Sequence, residues 1–360
     1  LAQYEEMVGF YEGNRKDIYN RMSELLKDSP YKKQIEQLYL NSNLSDIIAS
    51  KPSELLLSER PVFESGKEAG SQEQQALNRL VEENDIHQMI YNFTVGAAIR
   101  GDAFLKVYHD YRNDYSELKA LGLPIPADAK RETVIQTVNP SYVFPELAKG
   151  SSTAFKAVNI AYVQWLNKET GDTTLTEPAP NTGGISLFKK KQTAIPYLIV
   201  ERHLAGFIIH EKYLLSPQTV SLVGAISVPI YNIVEKVSTG LDVDVIITGT
   251  PVPLVFHFAY KQTDTKWRGV GAIEKIATKL VAISDRLTAL DWVIHKHSDP
   301  ILTGAEIEGM GEMVRLGGAY ISRTNDDVDV KFVTWDAKLD HAFKELDILY
   351  SEVFAMAQLP

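Results

Sequence analysis

The chain has 360 residues, 47 acidic and 37 basic side chains, a net charge of −10 and no cysteine. The length admits two or three domains. The acidic balance excludes a tight, sequence-independent DNA binder, whose affinity would come from neutralised phosphates, and the missing cysteines exclude disulfides and thiolate metal sites. That cysteine usage fits a reducing compartment. Apolar runs stop well short of the ~20 residues a membrane span needs. The opening residues LAQYEEMVGFYEGNR have neither the basic nor the apolar region of a signal peptide.

Residues 1–48 read as short helices. Ile18, Met22, Leu25 and Leu26 share one face, Asp28-Ser29-Pro30 is a stop, and Tyr31–Leu40 forms another helix, with a further one starting near Ser45. Lys51-Pro52 and Arg60-Pro61 are expected to break the chain. The polar run from Glu64 to Gln75 is a loop entering a helix. Asn84 or Asp85 is the expected cap of the next helix, which carries Ile86, Met89, Ile90, Phe93 and Ile99. Gly96-Ala97-Ala98 offers a place for close backbone packing.

From residue 100 the pattern changes to strands. Ala103–Tyr108, Thr133–Val138, Phe155–Leu166, Pro196–His203, Phe207–Leu215, Val243–Thr248 and Leu254–Tyr260 have the β-branched and aromatic content of strands. Ser141–Glu146 reads as a short extended piece. Thr173–Gly184 is a Pro/Gly/Thr-rich hairpin tip or linker. Regular βαβ alternation is missing, which argues against a doubly wound enzyme.

The stretch from Gly269 to Pro300 organises the C-terminal part. Ile273, Ile276, Leu280, Ile283, Leu287, Leu290 and Ile294 alternate spacings of three and four, the stripe of a long helix. A helix of ~26 residues would be ~39 Å long. A second helical stretch, Trp335–Leu359, repeats the stripe with Leu339, Phe343, Leu346, Tyr350 and Val353. Between them Ile301–Thr303, Ala319–Ser322 and Asp329–Val333 read as short strands. The chain opens with Leu rather than Met and stops at Gln-Leu-Pro directly after a helix, so it is expected to be a fragment lacking at least a C-terminal part.

Local motifs give little chemistry. Gly269 and Gly271 precede a helix, as in phosphate-binding turns, but Glu274 stands where a third glycine would be. They read as the turn into the helix. His295 and His297 are two apart, which puts them on different helix faces and disfavours a metal pair. Asp326, Asp327 and Asp329 lack the calcium-loop pattern. Arg100-Gly101-Asp102 reads as a tight turn, and Lys189-Lys190-Lys191 as a solvated loop. No nucleophile–base arrangement has a local signature. Neither a cofactor nor a metal is expected.

Four pieces, in order, resemble bacteriophage portal proteins, the head–tail connector family of tailed phages, particularly those of phages infecting Gram-positive hosts. They are Gly96–Val107, Val138–Pro145, Pro253–Phe258 leading into the Gly269 helix with Asp285 and Arg286, and His297–Leu302 with the closing helix to Pro360. The resemblance covers roughly residues 85–360.

It implies an α+β fold, a portal-like subunit with a mixed α/β wing (1–268), two long antiparallel stem helices (269–298 and 336–358) and a small β-rich clip (299–335) between them. A tunnel loop and crown would follow residue 360. It implies a ring, usually of about twelve subunits, at one capsid vertex of the virion, assembled in the host cytoplasm. Double-stranded DNA would pass through it without sequence reading. The implied protein partners are the terminase large subunit, a head-completion or adaptor protein, and the major capsid or scaffold protein. Clip docking would fall around Ile301, Leu302, Tyr320, Ile321 and Arg323, and no enzymatic activity is implied. Another phage coat or adaptor protein oligomerising through a helical hairpin is the alternative. An enzyme with a helical dimerisation arm would instead need a concave pocket with convergent polar groups.

Overall fold

A computed structural model describes residues 2–14, 19, 22–24, 26–30, 32–115, 117–118, 121–168, 173–175, 194–222, 226–298, 301–305, 319–323, 331–332 and 339–359. The fold is α+β, with antiparallel sheets beside helices. The chain divides into two compact units, Leu56–Val270 and the pair of segments Leu1–Leu55 and Gly271–Pro360. The sequence assigned 1–268 to one region. Its first 55 residues instead cluster with the C-terminal helices, because their hydrogen-bonding and apolar partners lie there.

In the unit Leu56–Val270, α4 (Gln72–Glu83) and α5 (Ile86–Arg100) precede the sheets. Ser71 starts α4, its hydroxyl accepting from the Gln74 amide at 3.2 Å. Asn84 ends α4 and does not cap α5 as expected. Its amide lies against the open edge of β2 (Arg131–Val138), donating to the Thr133 carbonyl at 3.1 Å and accepting from the Ile135 amide at 2.9 Å. A side chain thus takes the place of a neighbouring strand. Asp85, at the helix start, makes no capping bond and sits in a left-handed conformation.

The first sheet is antiparallel in the order β10-β1-β2, with β1 Asp102–Tyr111 and β10 Val255–Ala259. Alternation along β1 separates Asp102, Phe104, Lys106 and Tyr108 from Ala103, Leu105 and Val107. The second set faces α5, where Phe93 meets Phe258 edge-on at 5.0 Å. The first set faces a second antiparallel sheet.

That sheet runs β3 (Val143–Leu147), β4 (Phe155–Asn167), β6 (Ala194–Leu204), β7 (Phe207–Leu222), β8 (Ile226–Val237). The short β5 (Thr173–Thr174) pairs β4, and β9 (Val245–Ile247) pairs β7. Phe104, Val143, Val158, Ile160 and Val255 form the core between the sheets, flanked by Tyr162 and Trp267. Strand β8 was not anticipated. Its Pro229 argues against a strand, and the strand survives because it lies at the sheet edge, where a missing donor is tolerated.

The junction of β1, β10 and the residues after β10 is tightly built. Asp102 is fully buried, and its Oδ1 accepts from His257 Nε2 and from the Gly269 amide, both at 2.8 Å. Arg268 Nε lies 3.6 Å from Oδ2. Gly101 ends α5 with φ +89° and its carbonyl accepts from the Tyr260 amide at 2.8 Å. The Arg100-Gly101-Asp102 turn is therefore an interior joint.

The other unit contains α1 (Ala2–Glu12), α2 (Lys32–Leu38), α3 (Leu44–Leu56), α6 (Ala277–Ser298) and α7 (Asp340–Ala357). Pro52 does not break the chain but lies inside α3. The helix continues because Ile48, Ala49 and Ser53 are buried, and that packing outweighs the lost hydrogen bond. Ser45 fixes α3 against α1 by donating to the Phe10 carbonyl at 2.6 Å. Regular helix in α6 begins at Ala277, later than the expected 269. The glycines at 269 and 271 favour no helix, and the Gly269 amide is committed to Asp102. After α6 a small sheet runs β12 (Ala319–Arg323), β11 (Ile301–Ala305), β13 (Lys331–Phe332). Its β11–β12 pair is parallel and its β11–β13 pair antiparallel.

A Cβ at Gly269 would stand 2.1 Å from the Gly101 carbonyl oxygen, whereas one at Gly70 would meet open space. Gly269→Ala is expected to destabilise by about 1–3 kcal/mol, near the upper end because the obstacle is backbone. Gly70→Ala is expected to stay within about 0.5 kcal/mol of wild type. Urea midpoints of the two variants measure the difference, and equal midpoints would contradict the close approach.

Candidate assembly surface

The stripe read from the sequence is distributed unevenly. Ile273 and Ile276 lie in the turns before α6 and are buried, as are Leu280, Ile283 and Leu290, while Leu287 is half-buried. Ile294 is 53% exposed. On α7, Leu346 and Val353 are buried at a spacing of seven, Leu339 and Tyr350 are half-buried, and Phe343 is 49% exposed. Lys279 pairs with Glu352, and Arg286 with Glu345 at 3.0 Å. Moving seven residues forward on α6 moves seven back on α7, so the helices run antiparallel. These exposed ion pairs set alignment and contribute at most ~1 kcal/mol each.

A second buried face of α6 escaped the sequence reading. Ser284, Asp285 and Thr288 are buried although polar. Tyr39 donates to Asp285 Oδ1 at 3.2 Å, and the Leu40 amide donates to Thr288 Oγ1 at 3.0 Å. Thr288 in turn donates to the Ser284 carbonyl at 2.8 Å. Burial, then the Asp285 charge, push the Tyr39 hydroxyl far above its ordinary range. A Ser/Asp/Thr stripe normally marks solvent, and only the distant partners at 39 and 40 reverse that.

The helix pair leaves apolar surface unused. Ile348, 59% exposed, projects about 160° around α7 from Leu346. With Phe343, Met356 and Ile294 it makes an apolar surplus on helices whose buried faces are already filled. On the face that carries Ile348 its helix neighbours are His341, Lys344, Glu345, Ser351 and Glu352, so the apolar side chain stands among polar ones. The clip residues of the sequence reading lie on β11 and β12, where Ile301 pairs Ala319, Leu302 pairs Tyr320, Thr303 pairs Ile321 and Ala305 pairs Arg323. The side chains of His295 and His297, the Asp326–Asp329 run and Lys189–Lys191 lie outside the described residues.

The main titratable cluster sits between the two sheets of the other unit. Lys106 Nζ and Glu201 Oε2 are 2.6 Å apart, and His203 Nε2 is 2.6 Å from Glu201 Oε1. His203 is fully buried. Burial pushes the Glu201 carboxyl up, but the His203 hydrogen bond and the Lys106 charge outweigh it and bring it to about 2. Burial lowers His210, which lies opposite Glu201 on β7. The cluster is enclosed by packed side chains and ties β1 to β6. Its geometry is that of an inter-sheet lock. The cavity between residues 60–69 and α4, about 900 Å³, is open and lined by mixed charges. Among the described residues no group of three or more His, Asp and Glu is placed to hold a metal, and no helix is long and apolar enough to cross a membrane. No family model matches the chain, and no curated protein matches it.

Two outcomes are expected. Leu280→Asp places a charge in a filled interface and lowers the thermal midpoint by several degrees, whereas Ile348→Asp, at an exposed position, shifts it by no more than about 2 °C. Glu201, ordinarily near 4.5, falls to about 2 on folding. Its stabilisation is therefore complete above pH 4.5 and is lost as the pH falls toward 2. The urea-midpoint gap between wild type and Glu201→Gln is expected to narrow from pH 5 to about pH 2. A constant gap would contradict the charged form.

Proposed function

We propose that the chain is a portal subunit, one of a closed ring at a single capsid vertex of a tailed bacteriophage. The observation that carries this reading is the antiparallel pair α6–α7, joined through a small three-stranded sheet and exposing Ile294, Phe343, Ile348 and Met356. On this reading α6 and α7 are the stem and β11–β13 the clip. The apolar surplus at Phe343, Ile348 and Met356 meets neighbouring subunits. Repeated heterologous contacts close into a ring when the rotation between copies divides a full turn.

The net charge of −10 suits a conduit. A basic lining would hold the duplex by counterion release and slow its passage. The ring then guides double-stranded DNA during packaging and ejection without reading sequence. The clip docks the terminase large subunit during filling and a head-completion or adaptor protein afterwards. The rim contacts the major capsid or scaffold protein. The energy of translocation comes from a separate motor.

Negative-stain electron microscopy of the purified protein tests the reading. End-on views are expected to show rotationally symmetric rings around a central hole as wide as a DNA duplex, about 20 Å or more. The paired substitution Phe343→Asp with Ile348→Asp is expected to abolish rings while preserving the far-UV circular dichroism of the subunit. Persisting monomers or two-fold dimers of the wild type at high concentration would overturn the proposal.

A further inference from the structure

We propose that the hollow beside β10 is a binding site for a small aromatic molecule carrying one hydroxyl, with His257 Nδ1 as the acceptor that anchors it. The site lies wholly within the unit Leu56–Val270 and does not depend on the ring reading.

The hollow, about 390 Å³, opens between the start of β4, the residues before β10 and β10 itself. Phe155, Val158, Val252 and Val255 give it apolar walls, and exposed Thr153 and Gln262 border it. A cavity of about 150 Å³ already holds a benzene ring, and ligand pockets begin at about 300 Å³. Its walls are tied in place. The Ser152 hydroxyl donates to the Asp264 carbonyl at 2.5 Å, Gln262 Nε2 to the Trp267 carbonyl at 2.8 Å, and the Thr250 hydroxyl to the Val252 carbonyl at 3.1 Å. A hollow formed in advance spares a ligand the cost of ordering it.

His257 supplies the polar anchor. Only 9% of its side chain is exposed. Nε2 donates to the buried Asp102 carboxylate, and the ring packs against Phe104, Phe155 and Trp267 at centroid distances of 4.8, 5.3 and 5.5 Å. Those contacts fix its orientation. The other nitrogen, Nδ1, bonds to no described residue. Because Nε2 holds the proton against the carboxylate, Nδ1 of the neutral ring carries a lone pair and accepts. The matching ligand presents one donor on an apolar body. A flat ring packs on Phe155 and the valines while its hydroxyl donates to Nδ1. A carboxylate ligand would instead meet a lone pair backed by the Asp102 charge.

Phenol and toluene, alike in size and differing in the hydroxyl, test the site. Each is titrated into the whole chain labelled with ¹⁵N-histidine, and the ring nitrogens of the eight histidines are followed by NMR. Phenol is expected to shift Nδ1 of one histidine, the one missing from the spectrum of His257→Gln, and to bind at least about five-fold more tightly than toluene. Val252→Trp, at a position 47% exposed, fills the hollow and leaves the Asp102–His257 pair intact. It is expected to weaken phenol at least about five-fold with a thermal midpoint within about 2 °C of wild type. Equal affinity for phenol and toluene, or no shift at His257, would overturn the anchor. Undiminished binding to Val252→Trp would overturn the location. Tighter binding of N-acetyltyrosinamide than of phenol would overturn the small-molecule assignment in favour of a protein side chain.

Discussion

The contact between Gly101 and Gly269, with the Asp102 carboxylate beneath it, is the constraint on which the β-rich unit depends. One buried carboxylate collects the end of α5, the start of β1, His257 of β10 and the amide of Gly269. A buried carboxylate is costly unless it is satisfied. Here hydrogen bonds from a ring nitrogen and a backbone amide, with Arg268 nearby, meet that cost. The same residues place Trp267 among Phe104, Phe155 and His257, so the polar joint and the aromatic core brace each other.

A second polar lock operates between the two sheets. Lys106 reaches from the three-stranded sheet to Glu201 of the larger one, next to fully buried His203. Apolar side chains alone would tolerate sliding of one sheet over the other. A single ion pair with short, directed contacts selects one alignment.

The helix pair has a different logic. The α6 helix is filled twice, by apolar residues toward its neighbours and by the Ser284–Asp285–Thr288 face that receives Tyr39 and Leu40. The α7 helix is filled along one line and exposes Phe343, Ile348 and Met356 among charged side chains.

The sequence by itself determined the elements whose signal is periodic and local. The three-and-four stripe located α6 and α7, and β-branched alternation located β1, β2, β4, β6, β9 and β10, with β7 found in its first part. It also located the Gly101 turn. What it left open are matters of partnership. Asn84 reads as a helix cap until β2 offers an unpaired edge. Pro52 reads as a break until Ile48 and Ala49 find a buried site. Ser284, Asp285 and Thr288 read as solvent-facing until Tyr39 and Leu40 arrive from up to 248 residues away. Periodicity records which face of an element is buried. Only the tertiary structure decides what covers that face, because hydrogen bonds and ion pairs between distant residues leave no trace in local spacing.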